Sequence, residues 1–205
     1  MVSRRRCGRR PVGGGLYIVG GSCHRTALMN APTLAERLGT TTHLSPLLHK
    51  ARRLGLGPKE LELLAIQRGC DFYDKGEPLT VPSVTREQFS DAELAIALLN
   101  PALRYDPQTL RLGAAMVSAA GNTPEEIARL ARFERCQGVV RYVAECGGKF
   151  EPDNEFWVRL LGLLPDTPRP KSSVVPHPTR FVAMTGFTRR GAETVAQWIR
   201  PRVNG

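Results

Sequence analysis

Glu134 is the acidic residue placed to do chemistry. It falls inside the apolar arc that Ile127, Leu130 and Ala131 set on one face of a predicted helix. A carboxyl buried there would have a raised pKa, the usual preparation of a general acid or base. The other use of such a group is a buried pair, with an arginine such as Arg141, two turns on along the same side, or with a neighbouring helix. Pairing is the expected role, and it stabilises only if well hydrogen-bonded, since desolvation offsets the Coulomb gain. No Gly-x-Ser-x-Gly or His-Glu-x-x-His constellation accompanies it.

A second candidate is "LYIVGGSCHRTA", residues 16–27, which has the outline of a strand, a Gly-Gly loop and a helix start. Backbone N–H groups are presented to phosphate in that way. The detail fails. Aligning Arg25-Thr26 with the end of a Walker loop puts Val19 and His24 where glycines are required, and no third glycine completes a dinucleotide fingerprint. Arg25 follows Cys23 by two residues, so the Cys-x5-Arg loop of thiol phosphatases is absent as well.

Metal ligation has equally poor spacing. His43 and His49 are six apart rather than i, i+4, Cys136 and Cys146 span more than two helical turns, and Cys70 with Asp71 and Asp74 has too few partners. Neither a metal nor another cofactor is expected. The five cysteines are odd in number and irregularly spaced, which suits buried reduced thiols and a cytoplasmic protein.

The last candidate is an alternation of arginines and aromatics near the C-terminus: Arg180, Phe181, Phe187, Arg189, Arg190, Trp198 and Arg200, with Arg202 beyond them. Such a set can stack on single-stranded bases or anchor a protein interface. It can also be a solvated basic tail whose aromatics pack back on the body. The net charge of +10 bears on that choice through its distribution. Residues 1–28 hold six arginines and no acid; residues 29–164 hold 16 basic and 17 acidic residues; residues 165–205 hold seven basic and two acidic. The middle is neutral and the basicity belongs to the ends, where polyanions are bound without sequence choice.

These residues have to be positioned by helices. "SPLLHKARRLG" offers Ser45 as N-cap, Pro46 at the first helical position and a stripe of Leu47, Ala51 and Leu54. "GPKELELLAIQRG" repeats the logic and closes at Gly69, and the two together could form a helix-turn-helix pair. Residues 70–89 break the rhythm with a turn at Asp74-Lys75-Gly76 and proline-bounded extended chain. Further starts follow at Ser90 with Glu93, at Asp106 with Pro107, and at Thr123 with Glu126, each cap worth about 1 kcal/mol. The helix after Thr123 is expected to run on to about Gly148 and either to bend near Gly138 or to be buried on both sides between neighbours, because Val139, Val140 and Val143 face away from the first arc. "PDNEFWVRLLGLLP" is the final helix, with Phe156, Leu160, Leu163 and Leu164 as its stripe.

The expected architecture is therefore mainly α, an irregular multi-helix bundle with a possible helical-hairpin repeat, since starts near 90, 106 and 123 recur every 17 residues or so. Residues 1–32 read as a disordered or misassigned extension, because Met29 begins "MNAPTLAERLG" in the manner of a natural bacterial start. Residues 44–164 form the helical core, 165–180 a Pro-rich linker, and 181–205 a basic and aromatic C-terminal segment with a short strand at "RFVAMTGF" and a short helix at "AETVAQWI". No run of about 18 apolar residues marks a membrane span. The expected function is a non-enzymatic interaction or adaptor module contacting a protein partner through its C-terminal segment. A nucleic-acid-associated protein using the same basic segment is the alternative, and an enzyme with an unrecognised site the third reading.

Overall fold

The caps define the helices. In the computed structural model, which describes residues 32–39, 45–74, 76, 83–171, 174–185 and 195–202, Ser45 Oγ accepts from Leu48 N and opens α2 (Pro46–Arg53). Asp106 opens α5 (Pro107–Val117), Thr123 opens α6 (Pro124–Phe133), and Ser90 with Glu93 makes both bonds of a capping box at α4 (Asp91–Leu98). The remaining helices are α1 (Leu34–Leu38), α3 (Pro58–Gln67), α7 (Gln137–Phe150) and α8 (Glu155–Leu163). The protein is mainly helical, with eight α-helices and one two-stranded sheet among the described residues.

α4 is the centre of the packing. Its sequence DAELAIAL is apolar nearly all round, and Ala92 and Leu94 through Leu98 are buried against α5, α6, α3 and α2. The small residues of α5 allow its close approach: a Cβ at Gly113 would lie 2.8 Å from the Leu99 side chain.

α1 adds to the core upstream of residue 44. Thr33 and Glu36 form a reciprocal capping box, Leu34 and Ala35 are buried, and their N–H groups donate to Leu103 O and Pro101 O at 2.8 and 2.7 Å. Residues 1–31 lie outside the described structure, and so do the glycine loop and the basic arm read there.

Two expected elements differ. The long helix after Thr123 is two helices, and the break is at Glu134–Cys136 rather than Gly138. Arg135 takes φ 54°, a left-handed conformation that a non-glycine residue seldom adopts. The turn is imposed from outside it, by the partners that hold Glu134 in the interior. α7 then starts in a new direction, so the face carrying Val139, Val140 and Val143 is buried without any bend inside a helix.

The stretch "AETVAQWI" contributes a strand where a helix was expected. β2 (Val195–Trp198) pairs antiparallel with β1 (Val182–Thr185), in the register Val182 to Trp198 and Thr185 to Val195. Val, Trp and Ile suit a strand as well as a short helix, and the cross-strand partner decides.

Candidate functional site

Glu134 is fully buried, and its carboxylate is taken up by three donors. Oε1 accepts from Leu47 N at 2.9 Å; Oε2 accepts from Asn100 Nδ2 at 2.9 Å and from Ser45 Oγ. Asn100 Nδ2 also reaches Ser45 Oγ at 3.0 Å. This carboxylate therefore sits at the N-terminus of α2, where the helix presents unpaired N–H groups and positive potential. It joins α2, the end of α4 and the α6–α7 turn.

The expected Glu134–Arg141 pair does not form. Arg141 turns to the segment after α8, donating to the carbonyls of Leu164 and Pro165 at 3.3 Å and pairing with Asp166 at 3.2 Å and Glu145 at 3.4 Å. The 134–136 turn changes the helix direction, so sequence spacing no longer sets which side chains share a face. Glu134 has no water-facing atom and no second acid among its partners, and the hydroxyl it holds, Ser45 Oγ, is itself buried and caps α2, an arrangement that fits a structural link.

The C-terminal candidates divide. Phe181 and Trp198 are each 2 % exposed, with rings 5.7 Å apart, and Trp198 stacks edge-on against Trp157 at 5.0 Å. These two aromatics anchor the segment and are not available to a partner. Arg200 is bound to Glu151, whose Oε2 also accepts from Trp157 Nε1 at 2.8 Å and Asn154 Nδ2 at 3.0 Å. Burial pushes the Glu151 carboxyl up, but the hydrogen bonds from Trp157, Asn154 and Arg200, with the Arg200 charge, outweigh it and hold it below the ordinary glutamate value. Arg202 pairs with Asp71 at 2.8 Å, and its backbone N–H donates to Gly69 O at 2.9 Å. Arg180 is exposed. Phe187, Arg189 and Arg190 lie outside the described residues, between the two strands.

Past the anchored base, the strand pair carries apolar side chains into solvent. Met184 is 65 % and Val195 58 % exposed. The residues ahead of the hairpin are held to the body, with Val174 and Val175 buried and Tyr142 Oη donating to Pro176 O at 2.8 Å.

Of the cysteines, Cys70, Cys136 and Cys146 are buried free thiols. Burial raises all three pKa values, Cys70 to about 12 and Cys146 to about 11, which suppresses the reactive thiolate. His43, Cys7 and Cys23 lie outside the described residues; among those described, no group of His, Cys, Asp and Glu is clustered to hold a metal ion, and no helix is long and apolar enough to cross a membrane.

One feature had no sequence signal. A cavity of about 740 Å³ opens between the C-terminal end of α1, the start of α7, the segment 167–171 and Val174. Its wall includes Arg37, Arg135, Arg169 and Lys171, which three separate stretches of chain bring together. No protein-family model matches this chain, and no curated protein or solved structure shows significant similarity to it.

Proposed function

We propose that the protein is a helical interaction module whose contact element is the C-terminal hairpin, residues 182–198, and whose partner is a protein surface that is acidic around an apolar centre. The observation that carries this reading is the division of one segment into two roles. Val182 and Trp198 are buried at the base of the hairpin, while Met184 and Val195 stand exposed further along the same two strands. Exposed apolar residues on an anchored element are the usual material of a protein contact. The chain joining the strands contains Phe187, Arg189 and Arg190, which supply an aromatic and two cations of the kind that dominate interface energetics.

Nucleic acid is the competing partner. Arg200 and Arg202 are engaged with Glu151 and Asp71, so fewer cations of the segment are left for phosphates than its sequence suggests. The experiment compares the wild type with M184E/V195E. Proteins captured from the native host are purified and rebound, and the double variant is expected to bind at least about tenfold more weakly with unchanged thermal stability. Equal binding by the two proteins contradicts the hairpin as contact element. Steeply salt-dependent affinity for DNA or RNA in place of a protein partner favours the alternative.

A further inference from the structure

We infer that the cavity between α1, α7 and the segment 167–171 is a binding site for a small phosphate monoester, separate from the hairpin and independent of its role. The cavity wall is cationic. Arg135 and Lys171 have no acidic partner among the described residues, whereas Arg37 lies over the Tyr105 ring at 3.9 Å and Arg169 is held by Glu145 at 2.9 Å. The carboxylate on this wall, Glu36, is committed to its own helix, accepting from Thr33 N at 2.7 Å.

The start of α7 faces the same space. This 14-residue helix has no side-chain cap and no acid in its first turn. Val139 and Val140 donate to Cys136 O, but the N–H groups of Gln137 and Gly138, both on the cavity wall, have no acceptor among the described residues. α2, α4, α5 and α6 close that end with a side chain, from Ser45, Ser90, Asp106 and Thr123, while α3, which follows Gly57, also lacks one. Beside Gly138 lies Thr167 Oγ1, a buried hydroxyl oxygen with no hydrogen-bond partner, 3.7 Å from where a Gly138 Cβ would sit. Two backbone donors, a hydroxyl, an arginine and a lysine thus belong to one cavity wall, and a dianionic phosphate suits both its donors and its charge.

The volume points to an ester over the free ion. About 740 Å³ is far more than one phosphate fills, and Leu38, Val139 and Val174 give the rest of the wall an apolar character that suits an organic body.

The test titrates the full-length protein with phenyl phosphate and with inorganic phosphate, following backbone amides by NMR. Saturable shifts centred on Gln137 and Gly138 are expected, with phenyl phosphate binding at least about tenfold more tightly than inorganic phosphate. G138E places a carboxylate where the phosphate would lie and suits a helix first turn, so it is expected to keep the melting temperature and abolish binding. R135N, which keeps a residue tolerant of positive φ, and K171Q are each expected to weaken binding about tenfold. Shifts that do not saturate, or that spread over exposed arginines elsewhere, overturn the site. Undiminished binding to G138E overturns it too, and equal affinity for the two probes overturns the ester.

Discussion

Ser45 and Glu134 are separated by 89 residues, and the hydroxyl of the first donates to the buried carboxylate of the second while also capping α2 through Leu48 N. A helix start and a helix end are thereby fixed by one polar contact. Removing the carboxylate leaves Ser45 Oγ, Leu47 N and Asn100 Nδ2 competing for acceptors in a water-free interior.

E134A is accordingly expected to destabilise the protein by about 3 kcal/mol or more, read by urea unfolding. E134Q keeps the shape but turns one acceptor into a donor facing other donors, and is expected to cost about 1–3 kcal/mol. A loss below about 0.5 kcal/mol for both would show that the network is incidental to the fold.

Adjacent glycines of α7 make a second prediction with an internal control. A Cβ at Gly147 would come within 2.3–2.7 Å of the Trp157 indole, while one at Gly148 would meet Trp157 Cβ at an ordinary 3.7 Å. Trp157 is fully buried and cannot retreat without disturbing Trp198. G147A is expected to lower stability by about 1–3 kcal/mol through overpacking, and G148A to raise it by about 0.5 kcal/mol by removing a helical glycine. Thermal melts of the two variants check the opposite signs.

The third prediction concerns pH. Glu151 has a depressed pKa in the folded state, so its contribution is complete above the ordinary glutamate value of about 4.3 and is lost as pH falls through the folded value. Wild type should therefore exceed E151Q in stability near neutrality, and the gap should close in the acid range. A gap that stays constant down to about pH 2 would mean that the charge on Glu151 contributes nothing to the fold.

Much of the helical layout is local information. Ser45, Ser90, Asp106 and Thr123 sit at the positions where their short side chains cap helices, and Gly69 closes α3 at φ 111° as its type suggests. The reciprocal half of the Thr123 box does not form, whereas Thr33-x-x-Glu36, ahead of the expected core, makes both bonds of its box. In the last helix Trp157 is the fully buried aromatic and Phe156 only partly so, because the stripe faces an aromatic cluster completed by the C-terminal strand. What the sequence withholds is nonlocal. The turn at Arg135 follows from donors supplied 34 and 87 residues away, and β2 is a strand because β1 is beside it. The cavity has no signature because its arginines and lysine are ordinary surface residues until the chain folds.

The most direct test of the interaction module is hydrogen–deuterium exchange on the full chain, alone and with a protein partner captured from the native host and purified. In the free protein, amides at the buried base around Val182 and Trp198 should be protected, and those around Met184 and Val195 should exchange faster. On adding the partner, new protection is expected along residues 183–197, with the helices unchanged. Protection gained on the helices and none on the hairpin would contradict the assignment of the hairpin as the contact element.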